Sequence, residues 1–299
     1  WTSIWISIWT SIWISIWTRV EVSNNGREYT SDGVRLQLVS VRVVEVQPWS
    51  GPVLGATVVS VRGRGLLAGE LQCRFGESDG AMAWSGGASR LRCASAPSAV
   101  TGWVGVQLSS FYGALSSGGS FYYHAPLVAS ALTPALGPER GGTRVTVLGS
   151  FFRDAYTLRC RFENASAAVL ARYVDDNQLE CSSPVHSLGP KRLMLSMNGQ
   201  QYDEGTLTFT YQAAAAVSSV SPASALAEGG TPVTVHGAHF SAASEALGLL
   251  LCRIGSTVRR AVWASSTAVV CNTTRSVAGE VRVEVSNNGR EYTSDGVRL

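Results

Sequence analysis

Lysine is nearly missing from this 299-residue chain, with Lys191 the single example. Charged residues of all four kinds make up 15%, and the formal net charge is +3. So mild and scattered a basic balance excludes the dense cationic stripe of a nucleic-acid surface. Histidine is scarce too, at four residues. His236 and His239 are close, but three apart on a strand they face opposite sides and make poor joint metal ligands. Asp175-Asp176 precedes Asn177 in a turn-like stretch and reads as a solvated loop in preference to a calcium site. There is no P-loop, no H-E-x-x-H and no C-x-x-C to hold zinc. The expectation is a chain without enzymatic activity and without a cofactor.

Glycine, by contrast, is plentiful at 31 residues, which suits turn-rich β-sandwiches better than helical bundles or disorder. The length allows two or three domains. The chain opens on W-T-S-I-W-I-S-I-W-T-S-I-W-I-S-I-W-T, an eight-residue unit said twice. Trp, Ile and Thr favour strands, and a period of two puts Trp and Ser on one face and Ile and Thr on the other. As a helix, a four-residue period drifts by about 40° per repeat, so the Trp stripe would wind around the axis. A secretory signal would need a basic start and a small-residue cleavage site, and neither is present. Eighteen residues barely span a bilayer, and seven Ser or Thr among them argue against a membrane span. Fully extended, the segment reaches roughly 60 Å, far beyond an ordinary strand. Bare in water it is an aggregating edge, so Ile4, Trp5, Ile8, Trp9, Ile12 and Trp13 are expected to assemble against neighbouring sandwiches.

Three copies of one pattern follow. Residues 47–63 read Q-P-W-S-G-P-V-L-G-A-T-V-V-S-V-R-G, residues 133–149 T-P-A-L-G-P-E-R-G-G-T-R-V-T-V-L-G, and residues 221–237 S-P-A-S-A-L-A-E-G-G-T-P-V-T-V-H-G. Pro48, Pro134 and Pro222 are 86 and then 88 residues apart, a period of immunoglobulin-like size. Each copy runs from a Pro/Gly turn into alternating β-branched residues, the mark of a half-buried strand. Each then carries one cysteine pair: Cys73 and Cys93, Cys160 and Cys181, Cys252 and Cys271. One internal bridge per copy is the natural pairing, with buried free thiols as the alternative. Closing a loop of some 20 residues is worth about 3 kcal/mol in the chain-entropy model, and such bridges suit an oxidising, extracellular compartment. A hairpin around Asn198-Gly199 follows in the second copy.

With these motifs in order, P-x(5–7)-G-G-T-x-V-T-V-x-G, C-R-F-G, C-x-S-P and V-x-V-S-N-N-G-x-x-Y, the chain resembles the IPT/TIG family over residues 41–299. This is the immunoglobulin-like domain of plexins, the hepatocyte growth factor receptor and fibrocystin-like ectodomains. The first copy departs with Gly55-Ala56 in place of Gly-Gly, and the third lacks a proline after its second cysteine. The resemblance implies an all-β chain of three tandem Ig-like sandwiches of about seven strands each, without catalysis. The expected organisation is a repetitive extended segment at 1–18, a partial hairpin at 19–40, and sandwiches at 41–125, 126–212 and 213–299.

Residues 19–36 are identical to residues 282–299, an offset of 263. The third copy stops at Leu299, short of most of its closing strand, so Val283, Val285, Val297 and Leu299 are expected to border an open edge. The expectation is therefore a structural subunit or repeat unit of an extracellular appendage. Its tandem domains join head to tail, either covalently or through a donated strand. The alternative is an adhesion or receptor ectodomain that binds protein or glycan. By the same offset residues 1–18 occupy the place of residues 264–281 and match them only at Ser3 and Thr10, so the repeat breaks off before Arg19. They are either a donated strand or a placeholder for an extended stretch. Asn164-Ala-Ser and Asn272-Thr-Thr are N-glycosylation acceptor sequences. The partners expected are further copies of the chain and glycans, with no nucleic acid.

Overall fold

The computed structural model describes residues 15–39, 41–66, 71–78, 81–85, 89–110 and 113–299. Ile4, Trp5, Ile8, Trp9, Ile12 and Trp13 lie outside them. The described residues are almost entirely strand and turn; the one helix, Ala242–Ala246, is capped by the Ser241 hydroxyl accepting from the Ser244 amide. No described helix is long and apolar enough to cross a membrane. The chain divides into two compact units, Trp1–Pro126 and Leu127–Leu299.

The first unit contains a sandwich of two sheets. One runs Arg42–Gln47, Val58–Arg64, Arg90–Ala94, Trp84–Ser85; the other runs Ser50–Pro52, Gly113–His124, Gly102–Ser110, Gln72–Phe75, Ala81–Met82. The alternation read in the sequence is what packs it. Val59, Val61, Cys73, Phe75, Leu91, Val106, Leu108 and Phe121 all point inward and are almost fully buried. A separate hairpin joins Ser15–Arg19 to Arg35–Val39, antiparallel, with Arg19 opposite Arg35. The expected border at residue 18 thus falls inside a strand.

The second unit holds two cores. In the first, Arg144–Ser150 and Gln178–Ser182 form one face and Arg159–Phe162, Gly189–Ser196 and Leu207–Gln212 the other. Val169–Asp175 pairs with both Gln178–Ser182 and Arg159–Phe162, so eight strands make one continuous curled sheet around Phe162, Leu195, Phe209 and Tyr211. In the second core, Ala216–Ser221, Gly229–Ala238, Ala268–Thr274 and Val262–Ser265 face Thr257–Arg260, Leu251–Ile254 and Val283–Ser286. Val283 and Val285 lie within this core at 2% and 0% exposure, and Val297 and Leu299 pack half-buried against it. These four residues thus line the interior of the sandwich; Leu299 exchanges backbone hydrogen bonds with Val281.

Each core is crossed by a disulfide, Cys73–Cys93, Cys160–Cys181 and Cys252–Cys271, and no cysteine is free. In every case the bridge joins a strand of one face to a strand of the other, which is why the cysteine flanks recur in all three copies. The Gly-Gly turn also has one geometry throughout. Gly142 and Gly230 take φ of 87° and 83°, and Ala56 adopts 61° at the same place. The departure from glycine changes the residue and keeps the turn, at a strain of about 1 kcal/mol or more.

Candidate functional site

The best-defined polar constellation of the second unit is a turn from one sandwich seated on a threonine of the other. The turn is S-N-N-G-R-E at residues 286–291. Asn288 Oδ1 accepts from the amides of Arg290 and Glu291 at 3.0 Å each, and the Ser286 hydroxyl accepts from the Gly289 amide at 2.9 Å. Asn and Ser close such turns because a short side-chain acceptor reaches backbone amides two or three residues on. Gly289, at φ 71°, supplies the left-handed residue. The Asn288 amide nitrogen and the Glu291 carboxylate are hydrogen-bonded, which fixes both heads toward the neighbouring sandwich.

The receiving side is Leu136–Pro138 and the Gly-Gly-Thr turn. Thr143 is fully buried; its amide donates to the Ser183 hydroxyl at 3.1 Å and its carbonyl accepts from the Ser183 amide at 2.8 Å. The Thr143 hydroxyl donates to Glu291 at 2.8 Å, and Asn288 Nδ2 reaches the Leu136 carbonyl at 3.3 Å. Asn288 is 3% exposed, so these bonds form out of water, where leaving either partner unmade costs about 1–3 kcal/mol. Gly137 leaves room for the Thr143 hydroxyl, since a Cβ there would collide with that oxygen and with the Phe209 ring. Gln212 Nε2 to the Ser241 hydroxyl at 3.2 Å adds a second link across the short connection of residues 213–215. The arrangement positions one sandwich on the next.

The turn and its seat recur. Asn198 Oδ1 accepts from Gln200 and Gln201, and Ser196 from the Gly199 amide. Asn25 Oδ1 accepts from Arg27 and Glu28, and Ser23 from the Gly26 amide. On the receiving side, Thr57 with Ser95 and Thr231 with Thr273 repeat the Thr143–Ser183 bond. Thr143, Ser183, Asn288 and Glu291 were not singled out in the sequence. Their signal was there all the same: a threonine after each glycine turn and a hydroxyl residue two positions after each second cysteine.

The other sequence candidates separate. Asn164, at φ 61°, stands exposed in the turn after Arg159–Phe162 with Ser166 exposed beside it, and Asn272 is exposed on Ala268–Thr274. His236 and His239 are both exposed, and no metal-binding cluster of three His, Cys, Asp or Glu occurs among the described residues. Asp176 instead accepts from the Tyr173 hydroxyl, which pushes that phenol up to about 12, and Asp175 accepts from the Asn177 amide. One string passed over in the sequence, G-E-S-D-G at residues 76–80, has the letters of a nucleophile elbow. Its Ser78 hydroxyl donates to the Phe75 carbonyl at 2.8 Å in a β-turn, and the next strand is Ala81–Met82 where an elbow needs a helix.

The IPT/TIG domain model matches residues 127–211 and 215–299. Human plexin-A3 is 26% identical over 217 residues, which is 68% of this chain and 11% of that protein. Human fibrocystin-L is 26% identical over 171 residues, 56% of this chain and 4% of that protein. The chain therefore spans about a tenth or less of these relatives. Among solved structures, the full extracellular region of plexin A4 aligns with a TM-score of 0.49 at 18% identity, covering 79% of this chain and 21% of that one. The two matched stretches, the all-β fold and the repeated cross-sheet disulfide agree: the chain belongs to the IPT/TIG domain family.

Proposed function

We propose that the chain is part of a cell-surface adhesion or receptor ectodomain, a non-catalytic array of three IPT/TIG sandwiches over residues 41–125, 126–212 and 213–299. The observation that carries this reading is the buried clasp of Asn288 and Glu291 on Leu136 and Thr143. It fixes one domain on the next and leaves the strands and loops of each free to present a surface. The three disulfides support an extracellular location, as does the kinship with plexin and fibrocystin-L segments. In that setting Asn164 and Asn272 carry N-glycans. Labelled full chain secreted from eukaryotic cells, with no titratable thiol, should bind a panel of cell surfaces saturably. Chain that folds only in the cytosol with six free thiols, or shows no saturable binding, overturns the reading.

A second reading is favoured by one observation. Residues 19–36 repeat residues 282–299 and fold into the same hairpin, as expected of the repeat unit of a head-to-tail appendage. Analytical ultracentrifugation and electron microscopy of the secreted chain test it; discrete monomers at micromolar concentration would sink it.

A further inference from the structure

Three aromatic rings gather on the outward face of the first sandwich. Trp49 and Trp103 stack with centroids 5.5 Å apart and planes at 22°, and Tyr122 meets Trp103 edge-on at 5.3 Å. Backbone pairing builds the cluster. Trp103 lies opposite Tyr122 across Gly102–Ser110 and Gly113–His124, and the Trp49 carbonyl accepts from the Tyr122 amide at 2.8 Å. The adjacent strand positions Val104, Phe121 and Tyr123 pack in or against the core, and none of the three rings belongs to it. Trp103 keeps 63% of its surface exposed.

The fold does not require them. In the second sandwich the register puts Pro190 opposite Thr210, and the Thr210 amide donates to the Ala135 carbonyl. Ala135, Pro190 and Thr210 thus occupy the places of Trp49, Trp103 and Tyr122. An exposed tryptophan backed by two half-buried rings that the fold does not require marks a binding face.

Its surroundings choose the ligand. Along the same face come Gly105 opposite Ser120, both exposed, then Gln107 opposite Arg74. A bulkless floor therefore leads from the rings to a hydroxyl, an amide and a guanidinium, over about 13 Å of strand. The cation on this face is Arg74, held in place by its Nε donating to the Ser78 carbonyl at 3.0 Å, and two stacked rings do not form the box that holds a quaternary ammonium. One arginine does not neutralise a polyanion. A flat apolar platform followed by neutral and donor groups fits the ring face and the hydroxyls of an uncharged sugar. We propose that Trp103, backed by Trp49 and Tyr122, is the platform of a binding site for a neutral oligosaccharide. The proposal rests on the extracellular reading above and names the ligand class that this face would present.

Isothermal titration of the full disulfide-bonded chain with cellohexaose, laminarihexaose, chitohexaose and maltohexaose tests it. At least one hexasaccharide should bind saturably, Trp103→Ala should weaken that binding about tenfold or more, and Trp84→Ala, at another exposed tryptophan, should leave it unchanged. An unchanged thermal midpoint shows that the Trp103→Ala chain is folded. The proposal is overturned if none of the four sugars binds at millimolar concentration, or if both variants bind alike. A heparin hexasaccharide or a proline-rich decapeptide binding through Trp103 in place of the neutral sugars overturns it too. Absence of sugar binding by the unsubstituted chain, with cell-surface binding intact, rejects the platform alone; absence of both rejects the ectodomain reading with it.

Discussion

Residues 19–36 and 282–299 are the same eighteen letters, and the structure folds them into the same hairpin with the same bonds. The Thr30 amide donates to the Val22 carbonyl at 3.0 Å, and the Thr293 amide to the Val285 carbonyl at 2.9 Å. The threonine hydroxyls accept from Val22 and Val285 at 3.1 Å each. Arg19 pairs with Arg35 as Arg282 pairs with Arg298. Their surroundings are opposite. Val20 and Val22 are 39% and 59% exposed, whereas Val283 and Val285 are 2% and 0%. The difference is one strand. Leu251–Ile254 pairs along Val283–Ser286, Cys252 carries the bridge into the facing sheet, and Arg253 pairs with Glu284 and stacks over Tyr292 at 4.2 Å. Local sequence sets the turn and the register; a partner strand decides whether the apolar face is a core, worth about 1.5–3 kcal/mol for each fully buried valine.

The largest contrast should come from truncating the same residue in both copies. Val285→Ala is expected to cost about 2 kcal/mol in urea unfolding of the second unit, and Val22→Ala less than about 0.5 kcal/mol in any transition. Equal costs would mean that the first hairpin is covered as the second is.

A smaller contrast should appear at the turn. Glu291→Ala removes the acceptor of the buried Thr143 hydroxyl and should cost about 1–2 kcal/mol, with a coupling to Thr143→Val of similar size in a double-mutant cycle. Glu28→Ala, where the carboxylate accepts from Asn25 in the open, should be silent within about 0.5 kcal/mol. Additive Glu291 and Thr143 effects would show that the clasp carries no energy.

The smallest effect concerns the residue that braces each hairpin. Where Thr30 and Thr293 offer a hydroxyl, the second sandwich offers Asp203, whose carboxylate accepts from the Leu195 amide at 2.8 Å. Burial raises its pKa despite that bond. The folded state therefore binds the proton more readily than the unfolded chain. Its contribution is fully present below the ordinary Asp value of about 3.9 and is lost as pH rises through the raised one. Asp203→Thr should remove that part of the pH dependence of unfolding, read from melts between about pH 3 and 6, and leave the hairpin formed. A pH profile identical to the parent would refute the assignment.

Much of this fold was legible in the letters. The alternation in V-T-V gave the buried valines 145, 147, 233 and 235, and the recurring flanks paired the cysteines correctly. The Asn-Gly turns were legible because their hydrogen bonds span only two or three residues. The clasp was harder to read, because Thr143 and Glu291 are joined across 148 positions and the motifs that contain them do not say that they meet. The aromatic platform was unreadable for the same reason. Trp49, Trp103 and Tyr122 lie in three segments that only sheet pairing brings together.

The sequence by itself determined the sandwich repeat, the bridges and the geometry of each turn, since these follow from periodicity, composition and short-range hydrogen bonds. Tertiary structure alone decided which copy of an identical hairpin became a core and which face of the first sandwich was left aromatic and open. Both depend on which strands lie alongside, and no local stretch of chain encodes its neighbours.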